Sequence, residues 1–192
     1  TAPISRAKIQ LSYVINAFII GLTFSVIAFI ICEIFIVATG GSLLSFEAFL
    51  KVIGLLLLSV LLASSMNMLF VLFTNTLSAF STLSTIIGTL IGFLAGVYVP
   101  MGVLPTFAQN LIMVFPISHS SLLLRDAFMS DSINKVFAGV PIEHIEAYKI
   151  NFGIMYEMNG STLDTSTSLV VIIGSILIFS IVSIIIFKRK NK

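Results

Sequence analysis

Apolar residues fall along this chain in long uncharged runs, and the polar residues gather between them. Residues 9 to 32 contain no charged side chain, and this run predicts a membrane-spanning helix over about residues 10–37. The turn signal Ala38-Thr39-Gly40-Gly41-Ser42 follows. A run led by Lys51 predicts a second span over 50–73, and a short connection at 74–81 leads to a third over 81–99. Ser168 to Phe187 predicts a fourth, over 167–187, closed by Lys188-Arg189-Lys190.

The most irregular stretch is 81–129, STLSTIIGTLIGFLAGVYVPMGVLPTFAQNLIMVFPISHSSLLLRDAFM. Its first half sets Ser84, Gly88, Gly92 and Gly96 four apart, which predicts a strip of small residues on one helix face. Such a strip lets another backbone approach closely. The second half stays apolar but is cut by Pro100, Pro105 and Pro116. Its pieces, each about 12 residues, are too short to cross roughly 30 Å of hydrocarbon. Broken backbone survives in lipid only where protein buries it or where it lines a cavity. The pattern therefore predicts a re-entrant helical pair over 103–128, dipping in from the outer face, turning back and ending at Arg125.

Composition agrees with this pattern. Of 192 residues, 58% are hydrophobic and 9% charged, and the mean hydropathy of +1.15 excludes an ordinary soluble domain. The fold class predicted is all-α integral membrane: four transmembrane helices plus an outer re-entrant hairpin, in a single transmembrane domain over residues 1–192. The net charge of +2 conceals a segregation, with Arg6 and Lys8 at one end and Lys188, Arg189, Lys190 and Lys192 at the other. Four crossings return the chain to its starting side, so the positive-inside rule puts both basic ends in the cytoplasm and residues 130–165 outside. The expected location is the plasma membrane, multi-pass. Thr1 to Arg6 reads as the middle of a loop, which points to a fragment of a longer protein.

Candidate chemistry is sparse. Cys32 lies in an apolar run and reads as a small lipid-facing or buried side chain. Glu33 and Lys51 are expected near the outer surface, facing each other as a snorkelling pair or as a charge in a transport path. Ser64, Ser65 and Asn67 form a polar cluster, read as helix–helix hydrogen bonding or a cavity lining. His119 among serines lacks the orienting acid and separated nucleophile of a hydrolytic site. Pro141-Ile142-Glu143-His144-Ile145-Glu146 lacks HExxH spacing, and Asn159-Gly160-Ser161 is a turn by chemistry and a glycosylation sequon by pattern. No catalytic, metal or cofactor residue is assigned, nucleic acid is not an expected partner, and GxxxxGK[ST] is absent from the sequence. A pore that conducts without nucleotide remains the alternative to a transporter.

The glycine-rich span ending in Gly96-Val97-Tyr98-Val99-Pro100, then Val103-Leu104-Pro105, Phe115-Pro116 and Leu124-Arg125, resembles the membrane subunit of a type-2 ABC exporter. That resemblance implies a six-span permease of which these four spans are the last, so that an amphipathic leading helix and two spans lie elsewhere. It implies a separate ABC ATPase subunit that carries ATP-Mg, and a second permease subunit in a homo- or heterodimer within the bilayer. It implies export of a hydrophobic or amphipathic substrate such as a drug, a lipid-linked molecule or a peptide. Arg6 and Lys8 would then lie on the cytoplasmic coupling side, Ser84, Gly88, Gly92 and Gly96 along the pathway, and Pro100, Pro105, Pro116 and Arg125 at a re-entrant gate.

Overall fold

The computed structural model describes residues 6–74, 76–158 and 160–190. Thr1, Asn159 of the sequon, Lys192 and the side chain of Arg6 lie outside the described residues. Four helices are long and apolar enough to cross a membrane: α1 (Arg6–Ala38), α2 (Phe46–Phe73), α3 (Leu77–Leu94) and α7 (Thr165–Lys190). Between α3 and α7 come a 3-10 turn (Met101–Val103), α4 (Thr106–Val114), α5 (Pro116–Val136), α6 (Ile142–Asn151) and a two-residue hairpin, β1 (Glu157–Met158) with β2 (Ser161–Thr162). Apart from that short hairpin, the described residues form an all-α integral membrane architecture.

The centre of the bundle is α2, packed against α7, α5 and α1. Leu62, Leu122, Leu123, Ile172 and Tyr156 share one core cluster, and Phe29, Val52 and Ala127 share another. Large side chains elsewhere on α1 and α7, including Tyr13, Phe24, Ile34 and Ile178, stay exposed. In hydrocarbon that face costs nothing, because lipid tails are as apolar as leucine.

Several boundaries differ from those read in the sequence. Helix α3 starts at Leu77, four residues before 81, capped by Thr76, whose Oγ1 accepts from Ala79 N at 3.2 Å. The helix stops at Leu94 because Gly96 turns left-handed, φ +63°. Gly96 N then donates to Phe93 O at 2.9 Å and Val97 N to Gly92 O at 3.0 Å, a Schellman stop. Gly96 is therefore a helix terminator and not the last member of a strip. The proline-cut pair also departs from a hairpin: α4 and α5 meet at a 92° bend, and α5 continues to Val136, past 128. Glu33 and Lys51 do not pair. Lys51 Nζ sits 2.9 Å from Glu47 one turn away, and Glu33 Oε2 accepts from Leu44 N at 3.4 Å.

Leu62 is 1% exposed and Ile178 60% exposed. Leu62→Ala should lower stability in detergent by roughly 2–4 kcal/mol, since the hole is walled by α7 and α5. Ile178→Ala should change it by less than about 0.5 kcal/mol. Thermal unfolding of the two variants side by side checks the assignment of the core.

Candidate functional site: a capped break, a helix-end clamp and a groove

The break between α4 and α5 falls at Phe115-Pro116. Pro116 has no N–H to donate, and its ring ends the preceding helix, so the last carbonyls of α4 lose their i+4 partners, and Ile112 O keeps only a tighter bond from Phe115 N at 2.9 Å. Two side chains from the first turn of α5 replace them. The Ser118 hydroxyl lies 2.6 Å from Ile112 O and 2.7 Å from Phe115 O, one proton serving two acceptors. His119 Nε2 lies 2.8 Å from Met113 O. A carbonyl can only accept, so Nε2 carries the hydrogen and Nδ1 is left to accept from Ser168 Oγ at 3.0 Å. Ser118 and His119 are 0% and 2% exposed. Tyr156 completes the node from the segment between α5 and α7. Its hydroxyl donates to Ser118 O at 3.2 Å, and its ring stands edge-on to the imidazole at 5.6 Å. Burial pushes the Tyr156 phenol up from its usual pKa, which keeps it a donor.

Two turns further along α5, Arg125 reaches the ends of two other helices. Nη2 donates to Ala95 O at 3.1 Å and to Gly96 O. Nη1 donates to Phe152 O at 3.4 Å and Gly153 O at 3.3 Å. The acceptors correspond: Ala95 and Phe152 are the C-caps of α3 and α6, and Gly96 and Gly153 follow them. Gly153, φ +66°, repeats the Schellman stop, with Gly153 N donating to Ile150 O and Ile154 N to Lys149 O. A Cβ on Gly153 would come within 2.8 Å of Nη1. Helix C-termini carry partial negative charge. The salt bridges among the described residues join Lys51 to Glu47 and Lys149 to Asp126, so two converging helix ends serve the guanidinium where a carboxylate would elsewhere. Only a planar fork with five N–H donors can do this from one side chain.

Beside this clamp, α3 stands off from the bundle with no buried residue in its length. Between α1, α2, α3 and the start of α5 lies a groove of about 610 Å³. Gly88 and Ser84 line it, while the bare face of Gly92 is covered by the ring of Tyr98 from the same chain. The three glycines read as one strip thus do three things: Gly88 faces open space, Gly92 seats Tyr98, and Gly96 ends the helix.

The sequence profile of ABC-2 type transporters matches residues 1–129, about two thirds of the chain. The chain belongs to the ABC-2 type transporter family. No curated protein and no solved structure matches it. It is a type-2 ABC permease subunit, a multi-pass membrane protein and a component of a transporter rather than a catalyst, and its family implies an ABC ATPase as partner. The ABC-2 match takes in α1 to α4, the break and Arg125, and stops within α5. Tyr156, Gly153 and Ser168, which complete the node and the clamp, lie beyond it.

Within this ABC-2 permease the residues singled out from the sequence separate into groups. Pro105 leads into α4, Pro116 opens α5, and Pro100 precedes the 3-10 turn, its carbonyl accepting from Val103 N. Arg125 is bonded to Gly96 but is not part of the break. Lys8 is exposed near the start of α1, and Arg6 opens that helix, both far along the chain from the clamp. Sequence reading missed Ser118 and His119 as caps and Gly153 as a helix stop. The signals were present: a hydroxyl and an imidazole within one turn after a proline, and a glycine just behind a short polar helix.

Arg125→Lys keeps the charge but loses the fork, and should cost about 1–3 kcal/mol. Hydrogen exchange should quicken at the amides of 96–98 and 153–155 together. Quickening at one helix end alone would show that the clamp does not join them.

Proposed function

We propose that this permease subunit carries out ATP-driven export of a hydrophobic or amphipathic substrate across the plasma membrane. The observation that carries this reading is the ABC-2 match across a bundle that holds an uncharged groove beside a loosely packed helix. Both chain ends would be cytoplasmic. There Arg6 and Lys8 would lie toward a separate ATPase that binds ATP-Mg and supplies the energy of hydrolysis. A second permease subunit would complete a two-fold assembly. With little of its surface locked into the core, α3 can shift between two arrangements. Arg125 would transmit that shift to the re-entrant pair and the segment beyond it, which form the outer gate. Nucleotide then needs only to favour one arrangement over the other. An ion path would normally place charges within the spans, whereas the groove wall has none.

The test is reconstitution with and without a partner ABC ATPase. Transport of an amphipathic dye should require ATP and that partner, and flux through the permease alone would favour a pore. Gly92→Leu drives a side chain into the Tyr98 ring and should abolish export while leaving membrane insertion intact. Unimpaired export by that variant would remove α3 from the mechanism.

A further inference from the structure

The groove has a composition of its own. None of its lining residues is charged, and along α2 it runs from Ser59 to Phe70. At 1.5 Å per residue that is roughly 17 Å, about half of the hydrocarbon thickness. Leu62, Ile87, Ile91 and Ile117 supply apolar wall, and serines stand among them on all four helices. Ser59 Oγ donates back to Leu55 O at 2.7 Å within its own helix. Ser120 is different. It is 6% exposed, it lines the groove, and its Oγ has no hydrogen-bond partner. An unpaired hydroxyl at that depth is costly in an apolar medium, and it is relieved by any ligand that brings its own donor or acceptor. A charged headgroup would have no counter-ion here and would carry its full desolvation cost.

We infer that this groove is a binding site for an uncharged amphiphile bearing a hydroxyl or amide head, with its chain along Ile87, Ile91 and Ile117 and its head at Ser120. This narrows the substrate of the exporter reading above and rests on it for the direction of transport. The volume, about 610 Å³, falls within the range of ligand sites. Gly88 lines the groove, and a Cβ at that position would meet nothing within 4 Å. A larger side chain there fills the groove without disturbing the chain's own packing, so Gly88→Leu should fold.

The experiment uses the complete transporter, permease and ATPase together, in liposomes containing one of two photoactivatable lipids with identical acyl-chain diazirines. One is a diacylglycerol and the other a phosphatidic acid, and cross-linked peptides are read by mass spectrometry. The diacylglycerol should label 59–70 and 84–91 about tenfold or more over the phosphatidic acid, the disfavour of a buried charge. Gly88→Leu should remove that labelling, and Ser120→Ala should reduce the preference several-fold while leaving the fold intact. Equal labelling by both lipids, labelling unaffected by Gly88→Leu, or no labelling because a protein helix fills the groove would each overturn the proposal. ATP-driven export measured in the same liposomes separates the two readings. Export without groove labelling removes the site, and labelling without export removes the exporter reading but leaves the site.

Discussion

Inside a hydrocarbon layer, a carbonyl without a donor has no water to turn to. The proline at position 116 takes the i+4 donor from the end of α4, and Ser118 and His119 supply side-chain donors to Ile112 O, Phe115 O and Met113 O from the next turn. Much else follows from that exchange. The donors must sit on the first turn of α5, so the two helices are held at a fixed 92° bend. His119, with Nε2 committed to Met113, offers Nδ1 to Ser168 and so ties the bend to α7. Tyr156 closes the node from the segment between α5 and α7. The polar groups gathered there lack the orienting acid of a hydrolytic site, and their chemistry is that of hydrogen-bond replacement.

The clamp at Arg125 extends this frame to α3. A membrane helix with no buried residue has little packing to position it. One arginine, bonded to both Ala95 and Gly96, supplies a directional hold where close packing is missing. Its other nitrogen reaches Phe152 and Gly153, so the end of α3 and the end of α6 share one charge. Displacing α3 would strip donors from that guanidinium or draw α6 with it.

Four spans and a proline-broken pair were legible in the sequence because hydropathy and proline act locally. The uncharged run from residue 9 to residue 32 and the cut at Pro116 need no knowledge of the rest of the chain. The register of α3 was less legible. Glycines four apart suggest one face, and what separates them is a left-handed turn at Gly96, a tyrosine folding back over Gly92 and open space at Gly88. The charge at Glu33 was matched to Lys51 by depth alone, although Glu47 stood one turn from that lysine on the same helix. Arg125 read only as the end of the re-entrant pair because its partners are backbone carbonyls some thirty residues away on either side, which no side-chain pattern announces. The node is hidden for the same reason, since Ser168 and Tyr156 come from outside the broken pair.

The account stands on the broken pair lying within the bilayer, entered and left from one face. Spin labels placed singly from residue 104 to residue 129 of the reconstituted protein measure this through their collision rates with oxygen and with a water-soluble nickel chelate. The labels should lie shallow near Pro105, deepest around Phe115 and Pro116, and shallow again past Asp126, with both shallow ends on the face opposite Lys8. Labels open to the nickel chelate from Pro105 through Pro116, or a steady descent that leaves by the opposite face, would contradict it.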